Sequence, residues 1–162
     1  MKITFVTTWG TIDKDYASCA GNYNFEIGEP AINRILEKVN PNFLYEVIWI
    51  LKKDSLDMDE KDRNLIFDVC KDIWNDKIII THGTDTMVKT GERLNEIKDK
   101  VIILVGSSKP EKFKGSDASF NIGCAIGAVN CMKNWVYIAM NWRIYDWNNC
   151  QKESETGQFI CN

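Results

Sequence analysis

The chain is short of the residues that metal and redox chemistry need. It has one histidine, His82, in 162 residues. Its six cysteines, Cys19, Cys70, Cys124, Cys131, Cys150 and Cys161, include no C-x-x-C pair. Zinc sites draw on clustered His and Cys, so no metal set is expected. The cysteines read as reduced, mostly buried thiols of a cytoplasmic protein, with Cys150 and Cys161 in a polar tail. Positive charge is not in excess: the formal net charge is −3 and the pI about 5.2. That argues against a nucleic-acid surface and against docking on anionic lipid. No apolar run approaches the roughly 20 residues of a membrane span, and the start, Met1 to Thr7, is too short and too β-like for a signal peptide. Gly10 stands alone, so neither glycine-rich phosphate fingerprint can be drawn and no nucleotide cofactor is expected. Without a repeat, a linker or a low-complexity stretch, residues 1–162 read as one domain.

What is present is an ordinary globular chain, 44% hydrophobic and 27% charged. Lys2–Thr8, Phe43–Leu51, Lys77–Thr81, Val101–Val105 and Trp135–Met140 read as five strands. Between them lie helical patterns. Pro30 opens the first, with Ile32, Ile35, Leu36 and Val39 on one face. Asp59–Trp74 is the second, with Leu65, Ile66, Val69 and Ile73 inward. Met87–Ile97 is the third. Ala118–Met132 is the fourth, and its many Gly and Ala residues predict a close neighbour. Residues 9–28 read as a long loop, and residues 142–162 show no clear period. Alternating strands and helices predict an α/β, flavodoxin-like, doubly wound three-layer sandwich. Its sheet is mainly parallel and five-stranded, with right-handed crossovers as the default.

In such a sheet, ligands bind beyond the carboxyl ends of the strands. There stand Trp9-Gly10-Thr11, Asp54-Ser55-Leu56-Asp57, Gly83-Thr84-Asp85, Gly106-Ser107-Ser108-Lys109 and Asn141-Trp142-Arg143. Hydroxyls follow four of the five strands. Capping of the next helix is the alternative role for Thr84 and Asp85. The single histidine reads as a structural turn residue, so a threonine nucleophile needs another activating partner. Lys152 is one candidate, if burial lowers its pKa; a tyrosine of the first loop is the other.

Thr8-Trp9-Gly10-Thr11-Ile12 resembles the T-G-G-T-I motif of bacterial-type L-asparaginases, and His82-Gly83-Thr84-Asp85-Thr86-Met87 matches their H-G-T-D-T-M unchanged. Asp54-Ser55-Leu56-Asp57-Met58 resembles their G-S-Q-D-M, Val105 to Pro110 looks like V-G-A-M-R-P, and Ser116 to Asn121 looks like S-A-D-G-x-x-N. The resemblance implies an amidohydrolase that converts L-asparagine, or a similar small amide, to the acid and ammonia, with no cofactor. Thr11 would be the acyl-enzyme nucleophile, and Thr84, Asp85 and Lys152 a second constellation. Asp85 would also hold the substrate ammonium and Ser55 its α-carboxylate, with Gly10, Asp54, Gly83 and Thr84 lining the substrate. The family's catalytic tyrosine, in the loop after the first motif, has three candidate positions here, Tyr16, Tyr23 and the place held by Phe25 before Ile27-Gly28, and Tyr16 is the favoured one.

Three departures qualify the resemblance. Trp9 stands where the family has glycine. Leu56 stands where it has a substrate-contacting glutamine. The likeness covers the N-terminal domain alone, and in the family a neighbouring subunit's second domain completes the pocket. The expectation is therefore a cytoplasmic homo-oligomer, dimer or tetramer, whose interface borders the loops of Thr11 and Asp85. The rival reading is an amide- or amino-acid-binding module without turnover. A further expectation is that Trp142, Tyr145 and Trp147 bury the tail that carries Lys152.

Overall fold

In the computed structural model, which describes residues 1–16, 25–27 and 29–162, Ile78, Ile79 and Ile80 are all fully buried. Successive strand residues face opposite ways, so Ile78 and Ile80 join one apolar cluster and Ile79 another. Two clusters require helices on both faces. The strands are β1 (Lys2–Thr7), β2 (Lys14–Tyr16), β3 (Phe25–Ile27), β4 (Leu44–Trp49), β5 (Lys77–Thr81), β6 (Val101–Val105), β7 (Trp135–Met140), β8 (Arg143–Asp146), β9 (Cys150–Lys152) and β10 (Phe159–Cys161). The helices are α1 (Ala31–Val39), α2 (Glu60–Asp72), α3 (Met87–Leu94) and α4 (Ala118–Val129). Residues of α2 and α3 fill one cluster, and residues of α1 and α4 the other.

The main sheet runs β4-β1-β5-β6-β7-β8. Its first five strands are parallel and β8 is antiparallel to β7. The sheet is thus mainly parallel but six-stranded rather than five. The sixth strand follows from a two-residue hairpin in which Asn141 and Trp142 hold φ at 50° and 63°. Two consecutive positive φ values are the type I′ signature. Asn suits the first position; Trp at the second hides the turn from a sequence reading.

The path of the chain corrects a second expectation. From β5 to β6 to β7 the chain steps in one direction, yet α3 packs on one face and α4 on the other. The β6–α4–β7 crossover therefore has the opposite hand to the β5–α3–β6 crossover, against the usual right-handed rule. The long connection before α4 makes the change of face possible. It is pinned by Asp117, whose carboxylate accepts the N–H groups of Ser108 and Lys109 at 2.9 to 3.1 Å. Among the described residues the close neighbour expected for the glycines of α4 is absent: a Cβ on Gly123 or Gly127 would meet nothing within 4 Å. The helix instead buries Ala118, Ile122, Ala125 and Val129 against the sheet.

Other elements differ in detail. The long first loop contains the antiparallel pair β2–β3. The tail contains β8 and the hairpin β9–β10. Leu65 and Val39, expected inward, are exposed. On α2, Asp62 and Arg63 take buried positions with Ile66, Phe67 and Cys70; Asp62 accepts the Asp59 N–H at 3.0 Å and pairs with Lys53 at 2.8 Å, and Arg63 donates to the Met58 carbonyl at 3.1 Å. No helix among the described residues is long and apolar enough to cross a membrane.

Candidate active site

The strand order changes direction at β1, between β4 and β5. Ligands of doubly wound sheets bind at such switch points. The β1 and β5 loops meet there through glycine. A Cβ on Gly10 would lie 2.7 Å from the Gly83 Cα, and one on Gly83 would lie 2.5 Å from the Ser55 Oγ. Three strand ends can close on one another only because both positions lack a side chain. Thr8 strengthens the join, its hydroxyl donating to the Thr81 carbonyl at 3.0 Å.

Thr11 opens a short 3-10 turn, Thr11–Asp13, directly after Gly10 and is half-buried. Thr84 and Asp85 lie in a second such turn, Thr84–Thr86. Both bond to Lys152: its Nζ donates to the Thr84 Oγ1 at 2.9 Å and to the Asp85 Oδ1 at 2.6 Å. Neither turn nor the helix after it shows a side-chain cap. The partners of Thr84 and Asp85 are thus a lysine from the tail rather than helix N–H groups. The Thr86 hydroxyl in turn donates to the Ser55 carbonyl at 2.9 Å and ties the β4 loop to the β5 loop.

The tail is what brings Lys152 here. Tyr145 and Phe159 are buried, and the Tyr145 hydroxyl donates to the Phe159 carbonyl at 2.7 Å. Asn141 accepts the Phe159 N–H at 2.8 Å. Trp147 packs partly buried on the same core. Trp142 does not help to bury the tail: it is 64% exposed and meets the equally exposed Phe120 edge-on at 5.9 Å. The type I′ turn points its ring outward.

Around the site, Asp54 pairs with Lys14 at 2.8 Å, and the hydrogen bond from Lys14 holds its carboxyl below the usual range. Nothing in the sequence marked Lys14. Ser55 is fully buried, and its hydroxyl has no partner among the described residues. A small cavity of about 40 Å³ lies among Trp9, Gly10, Lys14 and Asp54. Trp9 holds φ at 85° and is only 4% exposed, with Lys52 over its ring at 5.4 Å. Asp13 accepts the Ala31 N–H at 2.8 Å, and burial pushes its carboxyl up to about 6. Leu56 points into solvent.

His82 is structural. Its Nδ1 lies 2.7 Å from the Gly83 carbonyl, which can only accept, so Nδ1 carries the proton and Nε2 accepts from the Thr90 hydroxyl at 2.9 Å. Burial lowers its pKa to about 4. Tyr16 stands at the end of β2, in register with Phe25; Tyr23 lies outside the described residues.

Comparison with known proteins places the chain in a family. The family model described as "Asparaginase, N-terminal" matches residues 2–158. A probable periplasmic L-asparaginase of Haemophilus influenzae is 31% identical over 168 residues, covering 95% of this chain and 47% of its own length. L-asparaginase 2 of Escherichia coli is 27% identical over 172 residues, with 95% and 47% covered. Among solved structures, the thermostable L-asparaginase from Thermococcus kodakarensis superimposes with a TM-score of 0.85 at 24% identity, covering 99% of this chain and 51% of that one. The probable cytoplasmic L-asparaginase from Campylobacter jejuni gives 0.83 at 24%, with 99% and 52% covered. At that identity the two structures speak to the fold. The chain spans about half the length of the curated relatives it matches. With the switch-point geometry and a family match over residues 2–158, the chain belongs to the asparaginase N-terminal family.

Proposed function

We propose that this protein hydrolyses the side-chain amide of L-asparagine, or of a similar small amide, to the acid and ammonia through a threonine acyl-enzyme. The observation that carries the reading is the contact of Lys152 with Thr84 and Asp85, made across 68 and 67 residues of sequence at the switch point beside Thr11. Relatives named L-asparaginase and glutaminase-asparaginase support the class of substrate.

In this scheme the Thr11 hydroxyl attacks the amide carbon and loses its proton to a neighbouring base. The C–N bond breaks, and ammonia leaves carrying a proton. Water then cleaves the ester, with Thr84 aligning it and Lys152 holding Thr84. Asp85 keeps Lys152 in place and binds the substrate ammonium. Backbone N–H groups near Thr84 stabilise the oxyanion. Tyr16 assists from β2, and Gly10, Asp54, Ser55 and Gly83 line the substrate. The unpartnered Ser55 hydroxyl supports its place in binding the α-carboxylate. No step uses a metal or organic cofactor, and the working form is a cytoplasmic homo-oligomer.

Ammonia release from a panel of asparagine, glutamine and simpler amides tests the reading, and asparagine is expected to be turned over. A second reading, an amide-binding module without turnover, is favoured by the buried Trp9, which stands two residues before Thr11. Calorimetric binding of asparagine with no ammonia from any amide establishes that second reading and overturns the first.

A further inference from the structure

The β9–β10 hairpin places two thiols opposite each other. Cys150 and Cys161 are register partners, as are Gln151 with Ile160 and Lys152 with Phe159. The ladder defines the type of each pair. The Glu153 N–H donates to the Gln158 carbonyl and the Asn162 N–H to the Asn149 carbonyl. Those two pairs are hydrogen-bonded, and pair types alternate along an antiparallel ladder. Cys150 and Cys161 therefore form a non-hydrogen-bonded pair, the type with Cα atoms about 4.5 Å apart and side chains closer. A disulfide accepts Cα separations of about 4.4 to 6.8 Å.

The two thiols differ in access. Cys161 is exposed and Cys150 is buried, 3% accessible. Burial also pushes the Cys150 thiol up to about 11, so Cys161 is the sulfur that meets an oxidant first. The Arg143 guanidinium stands 3.9 Å from the Cys161 Sγ. Cys150 is two residues before Lys152 on one strand, and alternation puts both on the same face.

We infer that Cys150 and Cys161 are a modification site: under peroxide they form a cross-strand disulfide that clamps the hairpin holding Lys152 against Thr84 and Asp85. The Cys161 sulfur first attacks hydrogen peroxide. The O–O bond breaks, an S–O bond forms, and the products are a sulfenic acid and water. The Cys150 sulfur then attacks the Cys161 sulfur. The S–S bond forms, the S–O bond breaks, and the hydroxyl leaves as water with the Cys150 proton. Two thiols are oxidised and one peroxide is reduced to two waters. The clamp removes freedom from the unfolded tail. Any consequence for turnover rests on the amidohydrolase reading, whereas the bond and the clamp do not.

The test uses the full chain, reduced, then treated with a few equivalents of hydrogen peroxide and alkylated. Peptide mapping is expected to find Cys150 linked to Cys161 in most molecules, and Cys161→Ser to abolish the link. Oxidation is expected to raise the melting temperature by roughly 5 °C and to slow tryptic cleavage after Lys152 at least about tenfold, with neither change in Cys161→Ser. Cys161 driven to sulfinic acid with Cys150 still alkylated, or Cys161 linked to another cysteine, overturns the site. A mapped Cys150–Cys161 bond with unchanged cleavage after Lys152 overturns the clamp. Both readouts stand whether or not the protein releases ammonia.

Discussion

Trp9 keeps a positive φ that costs an L-residue roughly 1 to 2 kcal/mol. Its buried ring offsets this. Trp9→Gly is expected to relieve the strain and empty the site, for a net loss of about 2 to 3 kcal/mol in urea unfolding. Thr11 sits in the same loop and packs less. Thr11→Ala is expected to lower amide turnover at least about a hundredfold while the melting temperature barely moves; full activity in this variant removes Thr11 as nucleophile. Two buried titrating groups make the stability of the protein depend on pH in opposite senses. The folded chain keeps a proton on Asp13 up to about pH 6, against 3.8 for a free carboxyl. The Asp13 contribution is thus full below the unfolded value and is lost as pH rises through about 6. The folded chain refuses a proton on His82 until about pH 4, against 6.5 when free. The His82 contribution is present above 6.5 and is lost as pH falls through about 4. Each shift is worth about 3 kcal/mol, and the two oppose each other. Asp13→Asn removes one side of the balance. Thermal melts from pH 7 to 4.5 are expected to fall more steeply for the variant than for the native chain.

At the scale of elements, the tail decides whether the lysine is in place. The hairpin β9–β10 is small, and an isolated hairpin is marginal in water; Tyr145 and Phe159 anchor it. Tyr145→Phe leaves the Phe159 carbonyl without its donor, at a cost of about 1 kcal/mol. Hydrogen exchange is expected to quicken in β10 more than in β5 or β6. Truncation after Met140 is expected to remove activity and stability together, and a truncated chain that turns over amide normally overturns the role of Lys152. The five parallel strands and the four helices were legible because their apolar runs carry clear periods and their ends carry punctuation such as Pro30, Asp59 and Gly83. The pairs β2–β3 and β9–β10 were not legible. Three-residue strands have too few positions to show alternation, and contacts made elsewhere in the chain hold them. Leu65 was misplaced because the inward face of α2 includes Asp62 and Arg63, whose polar partners at the helix start no apolar period records.

Edge strand β4 leaves large apolar groups in water. Leu44 is 72% exposed and Trp49 58% exposed. An unpaired edge with such side chains is a surface for association. Trp49 and Trp9 line one cleft of about 280 Å³, so that edge reaches the loop of Thr11. Light scattering at micromolar concentration is expected to give a dimer or tetramer, and Leu44→Lys with Trp49→Lys is expected to give a monomer. A monomeric native mass with full amide turnover overturns the oligomer.

The layers follow from local pattern alone. Isoleucine and valine runs demanded burial on both faces, and Gly10, Gly83, Thr84 and Asp85 marked the strand ends, because periodicity and turn chemistry are local properties of the chain. What those residues touch is set by distant segments closing on one another. The meeting of Gly10 with Gly83, the reach of Lys152 to Thr84, the opposite hand of the α4 crossover and the facing of Cys150 with Cys161 all join distant segments. Such contacts depend on how the layers close around the sheet, and no local pattern records that closure.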